Sequence, residues 1–184
     1  MSRDEALVIV RKYVKNENLV RHMLAVEAAM AAYAKKFNED EEKYRVAGLL
    51  HDFDWEIHPT LEQHPQAGSA LLREEGVSEE IIRAILSHAQ HTGVTRETNL
   101  EKALFACDEI TGLITTTALV RPSKKIGDVE ISSIKKKFKN SSFAAGVNRQ
   151  EVEDGAKDLG VDLWGSHVPT VLKAMQGISG DLGL

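Results

Sequence analysis

The chain has 184 residues, which is enough for one domain with a substantial core of its own. Its formal net charge of -5 argues against a general nucleic-acid binder, because such proteins carry a strongly basic surface. Cys107 is the only cysteine, so an intramolecular disulfide and a thiolate-rich zinc site are both excluded. Any bound metal ion would therefore need histidine and carboxylate ligands.

The N-terminal sequence MSRDEALVIVRKYV has only a short apolar run, which Arg11 and Lys12 interrupt. Nowhere do eighteen apolar residues follow one another. With a single cysteine and no signal sequence, we expect a soluble cytoplasmic protein with no membrane partner. The sequence leaves the oligomeric state open.

Helical signals recur along the chain, and strand signals do not. Ser2 and Glu5 have the spacing of a capping box, which predicts a first helix that ends at about Lys15. Asn18 is the predicted N-cap of a longer helix that runs to Phe37, because apolar residues repeat there every three or four positions.

His22 falls on the apolar side of this second predicted helix. Asp40 is the predicted cap of a third helix, which carries His51 and Asp52 at its C-terminal end. The residues that follow, 54–63, have an irregular pattern and predict a loop that rims a pocket.

Later helices are predicted from cap residues and apolar periodicity. The caps are, in chain order, Gly76, Ser78, Asn99, Asn148 and Gly160. The helix that begins at Asn99 runs to Leu119, and Asp108 lies next to its apolar side. A last helix is predicted at residues 163–178. Together these signals predict an all-α fold of about eight helices without internal repeats.

A basic segment lies between residues 121 and 149, where eight Lys or Arg accompany two acidic residues. It predicts one short helix between loops. Arg121, Lys124 and Lys125 closely follow the helix that carries Asp108, so they are candidates for binding a substrate phosphate. The remaining lysines are interpreted as a solvated helix face: Lys135, Lys136, Lys137 and Lys139.

Four polar residues that the predicted helices direct inward suggest a function: His22, His51, Asp52 and Asp108. Each has a structural alternative, since a single inward histidine is more often a hydrogen-bonded core residue and Asp108 could pair with a Lys or Arg. Four buried polar groups would, however, each need a separate partner. One divalent ion would satisfy all four together, as in other helical bundles.

The segments NLVRHMLAVEAAM, AGLLHDFDWE and ALFACDEITGLI closely resemble the HD superfamily of metal-dependent phosphohydrolases. The motif of that superfamily is a His, a His-Asp pair and a distant Asp. Here these residues are His22, His51 with Asp52, and Asp108. The resemblance implies that these four residues bind a metal ion.

The resemblance also implies a single HD domain over residues 1–184, with the motif core at 18–119 and a C-terminal helical extension at 120–184. A ligand set of nitrogen and oxygen atoms suits a divalent ion of manganese, iron, cobalt, nickel or zinc. The implied reaction is hydrolysis of a phosphoester or phosphoanhydride by metal-activated water. The expected substrate is a small phosphorylated metabolite or nucleotide, and no nucleic-acid polymer is expected as a partner.

The segment HPQAGSALLREEGVSEEIIRAILSHAQHTG is similar to dinuclear members of the superfamily, including the symmetrical diadenosine tetraphosphate hydrolase-like group. By position, this similarity implies that His64 and His88 bind a second ion and that Asp52 bridges the two. His91 is an alternative to His88, and Pro65 stands where that group usually has Gly. Asp52, His64 and His88 are accordingly the predicted catalytic residues.

His58 and His167 are interpreted as uninvolved in metal binding, since one lies on the predicted loop and the other opens the last helix. Trp55 could stack on a base or pack beside the core. Two alternatives to hydrolysis stay open. One is a diiron HD oxygenase, which would need the ligands of the second ion, and the other is a non-catalytic nucleotide-binding or scaffold module.

Overall fold

The computed structural model describes all 184 residues, and its regular structure is entirely helical. The ten α-helices are α1 (Arg3–Tyr13), α2 (Glu17–Phe37), α3 (Glu41–Leu50), α4 (Gln66–Glu74), α5 (Glu79–His88), α6 (Asn99–Leu119), α7 (Ile131–Phe138), α8 (Arg149–Asp158), α9 (Val168–Gln176) and α10 (Ser179–Leu182). The predicted all-α fold class is confirmed. None of the helices combines the length and the hydrophobicity needed to cross a lipid bilayer.

The predicted capping box begins α1. The Ser2 hydroxyl accepts a hydrogen bond from the Glu5 backbone N–H, and the Glu5 carboxylate accepts one from the Ser2 N–H. The predicted N-cap of α2, Asn18, is wrong by two residues. Asn16 is the cap, because its side-chain oxygen accepts a hydrogen bond from the Asn18 N–H at 3.0 Å.

Helix α3 begins at the predicted Asp40 cap, and its last residue is Leu50, so the His51–Asp52 pair begins at the C-cap rather than within the helix. The predicted Asn99 cap of α6 is wrong by one residue, because Thr98 and Glu101 form a capping box there. The single last helix predicted at 163–178 is also wrong. That region contains a π-helical turn, Leu163–His167, followed by α9, and the Gly-rich tail forms the short α10.

Helices α2 and α6 are the longest and lie at the centre of one continuous hydrophobic core. Helix α3 packs closely along α2 at Gly48, where an added Cβ would lie only 2.8 Å from the Glu27 Cα. This close approach brings the C-terminal end of α3, with His51, against His22 of α2. The fold thereby places the His-Asp pair where α2, α5 and α6 meet.

Candidate metal centre

Two groups of metal-ligand side chains lie side by side at the end of α3. In each group, one ligand atom from every residue lies within 4.8 Å of the others. The first group, hereafter the first ligand group, is His22, His51 and Asp108, and the second ligand group is Asp52, His64 and His88. The structure thus brings together all six residues that the sequence analysis named as metal ligands.

Asp52 lies between the two ligand groups, and its two oxygens face different histidines. Oδ2 is 3.6 Å from His22 Nε2 and 3.5 Å from His51 Nε2. Oδ1 is 3.3 Å from His64 Nε2 and 3.7 Å from His88 Nε2. One carboxylate in this orientation is able to bridge two ions.

Hydrogen bonds on the Nδ1 atoms fix the orientation of the histidine rings. His51 Nδ1 donates to the Gly48 carbonyl at 2.8 Å, and His88 Nδ1 donates to the Ile85 carbonyl. A carbonyl oxygen only accepts hydrogen bonds, so both Nδ1 atoms carry a proton. In the neutral ring, the lone pair is then on Nε2, which faces the ligand groups, as a metal-binding histidine requires.

The His22 ring is supported by Thr111 of α6. The Thr111 hydroxyl donates to the Asp108 carbonyl at 2.7 Å, which leaves its oxygen free to accept a hydrogen bond from His22 Nδ1 at 3.4 Å. His22 Nε2 lies 3.0 Å from Asp108 Oδ1. The same pattern, with Nδ1 supported and Nε2 directed at the ligand group, therefore holds for His22.

Asp54 supports the His64 ring, although the sequence analysis placed Asp54 only at the start of a loop. It is fully buried, and its oxygens accept hydrogen bonds from His64 Nδ1 at 2.7 Å and from the Gly68 N–H at 3.1 Å. An added Cβ at Gly68 would lie 2.5 Å from the Asp54 carboxylate, so this contact requires glycine. The signal that could have revealed Asp54 is a second carboxylate two residues after Asp52, separated from it by a buried phenylalanine.

The charged groups of the cluster shift one another's pKa values. Burial lowers the pKa of His88, but the adjacent Asp52 carboxylate and the charge of Asp108 outweigh burial and raise that pKa to about 9. Burial raises the pKa of Asp52, but the neighbouring His51 and His88 outweigh it and hold the pKa well below its usual range. The pKa of Asp108 is lowered against burial in the same way, by His22 and His51. Both carboxylates are therefore ionised at neutral pH and suited to a cation.

The two ligand groups open into a cavity of about 480 Å³, hereafter the ligand cavity. The other side chains that line it are polar, namely Gln90, His91, Glu109 and Glu151, or apolar or aromatic, namely Trp55, Leu61 and Ala89. No Lys or Arg lines the ligand cavity. Burial, with the charge of Asp108, raises the pKa of Glu109 to about 7. The lining of the ligand cavity thus combines acidic residues with a few apolar side chains.

The other histidines of the chain are occupied elsewhere. His91 Nε2 donates to the His64 carbonyl at 2.8 Å, and His88 rather than His91 joins the second ligand group. His167 is buried, and its two ring nitrogens bond the Tyr33 hydroxyl at 2.5 Å and the Ala106 carbonyl at 2.8 Å. His58 belongs to neither ligand group.

The three basic residues predicted to bind a substrate phosphate are not brought to the ligand cavity. Lys124 and Lys125 line a separate cavity, and Arg121 lines neither of the two. The reason is the length of α6, which runs on to Leu119. Arg121 therefore lies thirteen residues beyond Asp108, about 20 Å along the helix direction at a rise of about 1.5 Å per residue.

The model of the HD domain family matches residues 19–113, which is just over half of the chain. This chain belongs to that family. Ribonuclease Y of Oleidesulfovibrio alaskensis is 30% identical over 98 residues, and that of Nitratidesulfovibrio vulgaris is 31% identical over 98 residues. The uncharacterized protein MJ0778 of Methanocaldococcus jannaschii is 35% identical over 109 residues. No solved structure matches the chain significantly.

The two Ribonuclease Y matches each cover 53% of this chain but only 18% of the relative. The MJ0778 match covers 56% of this chain and 63% of the relative. The chain therefore spans a small part of the Ribonuclease Y relatives. The predicted membership of the HD superfamily is confirmed, and proteins of this family bind divalent metals and are generally metal-dependent hydrolases. The finer similarity to the diadenosine tetraphosphate hydrolase-like group stays a prediction.

Proposed function

We propose that this protein is a metal-dependent phosphohydrolase that cleaves a phosphoester or phosphoanhydride bond in a small phosphorylated metabolite or nucleotide. The observation that carries the proposal is the position of Asp52, whose two oxygens face histidines of two ligand groups. A carboxylate shared between adjacent ligand sets would hold two ions side by side, and such a pair can clamp the attacking and leaving oxygens in hydrolysis of a phosphate compound. Family membership supports the same reaction class.

The residues fit a pair of divalent transition-metal ions. One ion would be held by His22, His51, Asp108 and Oδ2 of Asp52, and the other by Oδ1 of Asp52, His64 and His88. Four imidazole nitrogens and two ionised carboxylates, without thiolate, suit manganese, iron, cobalt, nickel or zinc. Ions in such a site supply a nucleophilic hydroxide near neutral pH and polarise a phosphoryl oxygen.

The remaining walls of the ligand cavity would orient the organic part of the substrate. Trp55 is 37% exposed and meets the His64 ring edge to face at 4.8 Å, so its free surface is available for packing against a base or another flat group. Gln90 and Glu151 lie on the polar wall and offer hydrogen-bond partners for hydroxyl or amino groups. These residues would bind and orient the substrate, while ions at the two ligand groups would hold the reacting phosphate.

The size of the ligand cavity supports a small substrate. Its volume of about 480 Å³ lies within the range of about 300 to 1,000 Å³ that is usual for small-molecule sites. Its acidic wall, without Lys or Arg, is unlike the basic surface that binds nucleic-acid backbones. A phosphorylated metabolite or a nucleotide is therefore the substrate class that we propose.

The test is hydrolysis of p-nitrophenyl phosphate and bis-p-nitrophenyl phosphate by the purified chain with added manganese, cobalt or nickel. We expect His51→Ala and Asp52→Ala to lose bound metal and activity together, because both residues face the metal positions. The matched control is His58→Ala, which removes a histidine outside both ligand groups and should keep both properties. Full metal retention in the two cluster variants would contradict the site assignment.

A diiron HD oxygenase is the second candidate, because it would need the same second ligand group that the structure contains. The two reactions differ in their need for dioxygen. Phosphate release that continues under anaerobic conditions supports hydrolysis. Dioxygen consumption coupled to product formation in the iron-loaded protein would support the oxygenase instead.

A further inference from the structure

The ligand cavity has no Lys or Arg of its own. Its titratable residues are four histidines and four acids, namely His22, His64, His88, His91, Asp52, Asp108, Glu109 and Glu151. The metal ions of the proposed function would hold the reacting phosphate. Any further anionic group of the substrate would be repelled by this acidic wall and would need a cation outside the ligand cavity.

The ligand cavity adjoins a second cavity of about 340 Å³, with which it shares His22 and Gly112. A cationic side chain lines this second cavity. Arg21 directly precedes His22 on α2 and lines this second cavity. Its side chain is exposed and makes neither an ion pair nor a hydrogen bond within the chain. Gly183 lies against the guanidinium, since an added Cβ there would be 3.5 Å from Arg21 Cζ. The charge is thus positioned beside the metal site without a partner.

This lack of a partner is unusual among the nine arginines of the chain. Seven of them form ion pairs or hydrogen bonds, namely Arg3, Arg11, Arg45, Arg73, Arg83, Arg96 and Arg149. The two others are Arg21 and Arg121, and only Arg21 lines a cavity that adjoins the metal ligands. Arg21 is therefore the arginine that is free to bind an anion close to the reacting phosphate.

Helix α6 connects the two cavities along one face. Asp108, Gly112 and Thr115 stand at positions i, i+4 and i+7, so they lie on the same side of the helix. Thr115 is about 10 Å beyond Asp108 along the axis, at a rise of about 1.5 Å per residue. The neighbouring Thr116 hydroxyl donates to the Gly112 carbonyl at 2.9 Å, whereas the Thr115 hydroxyl has no partner within the chain.

We propose that Arg21, Asn18 and Thr115 form a second anion-binding subsite, which holds a distal phosphate of the substrate. This inference rests on the proposed function, in which the reacting phosphate lies at the ligand groups. The guanidinium binds a phosphate through two parallel N–H donors, and the Thr115 hydroxyl and the Asn18 amide add further donors. The substrate class is therefore a molecule with two phosphate groups about 10 Å apart, a separation set by the rise of α6.

A binding comparison tests the subsite without relying on turnover. The two probes are hexanediol carrying a phosphate at each end, whose extended chain spans the required separation, and hexyl phosphate, which has one phosphate only. Their dissociation constants are measured by isothermal titration calorimetry on the manganese-loaded protein. We expect the bisphosphate to bind about tenfold more tightly or better, as a charge-assisted hydrogen-bonded pair would provide.

The variants assign this preference to individual side chains. Arg21→Gln should abolish the preference and leave the affinity for hexyl phosphate unchanged, whereas Arg21→Lys should retain part of it. Thr115→Val, which keeps the shape of the side chain, should reduce the preference. The matched control is Lys157→Gln, which removes one exposed positive charge that lines neither cavity and should change nothing. Thermal unfolding of each variant verifies that the fold is retained.

The outcomes separate the subsite from the proposed function. Equal affinity for the two probes in the wild type, binding of neither probe, or an undiminished preference in Arg21→Gln would each overturn the subsite. Phosphate release from hexyl phosphate is measured in the same preparations. If the preference for the bisphosphate depends on Arg21 but no phosphate is released, the subsite stands and hydrolysis is refuted. If phosphate is released but the bisphosphate is not preferred, hydrolysis stands and the subsite is refuted.

Discussion

Asp54 is expected to control binding of the second metal ion, although it is not among the proposed ligands. In Asp54→Asn, the side chain keeps its shape but loses its charge, and one of its two acceptor oxygens becomes an N–H donor. It can then no longer accept hydrogen bonds from both His64 Nδ1 and the Gly68 N–H. Either the ligand ring loses its support or a buried backbone donor loses its partner.

The magnitude follows from these two contacts. Loss of the group that orients a metal-binding histidine weakens metal affinity by about 10- to 100-fold, which corresponds to about 1.4 to 2.8 kcal/mol. A buried N–H left without an acceptor costs the fold about 1 to 3 kcal/mol. The first ligand group makes no hydrogen bond to Asp54, so its affinity for metal should remain that of the wild type.

The assay is a calorimetric titration with manganese or cobalt, in which the wild type should show two binding events and Asp54→Asn should show a selective loss of one. Urea denaturation of the metal-free proteins measures the cost to the fold. The control is Asp181→Asn, which removes one exposed carboxylate that has no hydrogen-bond partner. Two binding events of wild-type affinity in Asp54→Asn would refute the dependence of the second site on this buried carboxylate.

Three further predictions concern stability and pH. Gly48→Ala should destabilise the fold by about 1 to 3 kcal/mol in urea denaturation, because the new methyl group would lie 2.8 Å from the Glu27 backbone. The control is Gly127→Ala, whose new methyl group would have no atom within 4 Å and should not destabilise the fold by this amount. Burial lowers the pKa of His167 to about 4. Between about pH 6.5 and 4 the unfolded chain therefore binds a proton at this residue more readily than the folded chain does. The free energy of unfolding should fall by roughly 3 kcal/mol as the pH drops through that window. Unfolding measured at both ends should show this loss, and an equal loss in His167→Gln would contradict it. As the pH is raised toward the His88 pKa of about 9, metal affinity should increase about tenfold per pH unit, because the ion displaces a proton from that ring. Titrations that show no pH dependence would argue against His88 as a ligand.

The helix boundaries show which parts of the fold local sequence can determine. Ser2 and Asp40 cap their helices as predicted, because each side chain bonds N–H groups within three residues of it. Asn16 and Asn18 are both competent caps, and the choice between them depends on a remote contact. The Glu56 carboxylate accepts hydrogen bonds from the Asn16 backbone N–H and from that of its predecessor, at 3.0 and 2.8 Å. Sequence spacing alone does not reveal a partner forty residues away.

In the site, too, some features follow from local sequence and others depend on remote contacts. The positions of His22 and Asp108 follow from helical periodicity and from the order of the motif, so the sequence could predict that they meet. The support that Asp54 gives to His64 depends on how an irregular loop folds back onto Gly68, which no periodic pattern encodes. The predicted phosphate-binding role of Arg121 presumed that nearness in sequence means nearness in space. About three turns of α6 separate Asp108 from the end of the helix at Leu119, just before Arg121.

The two ligand groups are carried by different kinds of structure. The first is anchored on α2, α6 and the end of α3, which form the buried centre of the molecule. In the second, His64 belongs to the turns between α3 and α4, and the buried Asp54 carboxylate links its ring to the α4 backbone. Local opening of this segment would release one ion while the core stays folded. Warming or a mild chelator would then remove the ions one after the other, and a folded protein with a single ion would be a distinct state with its own reactivity.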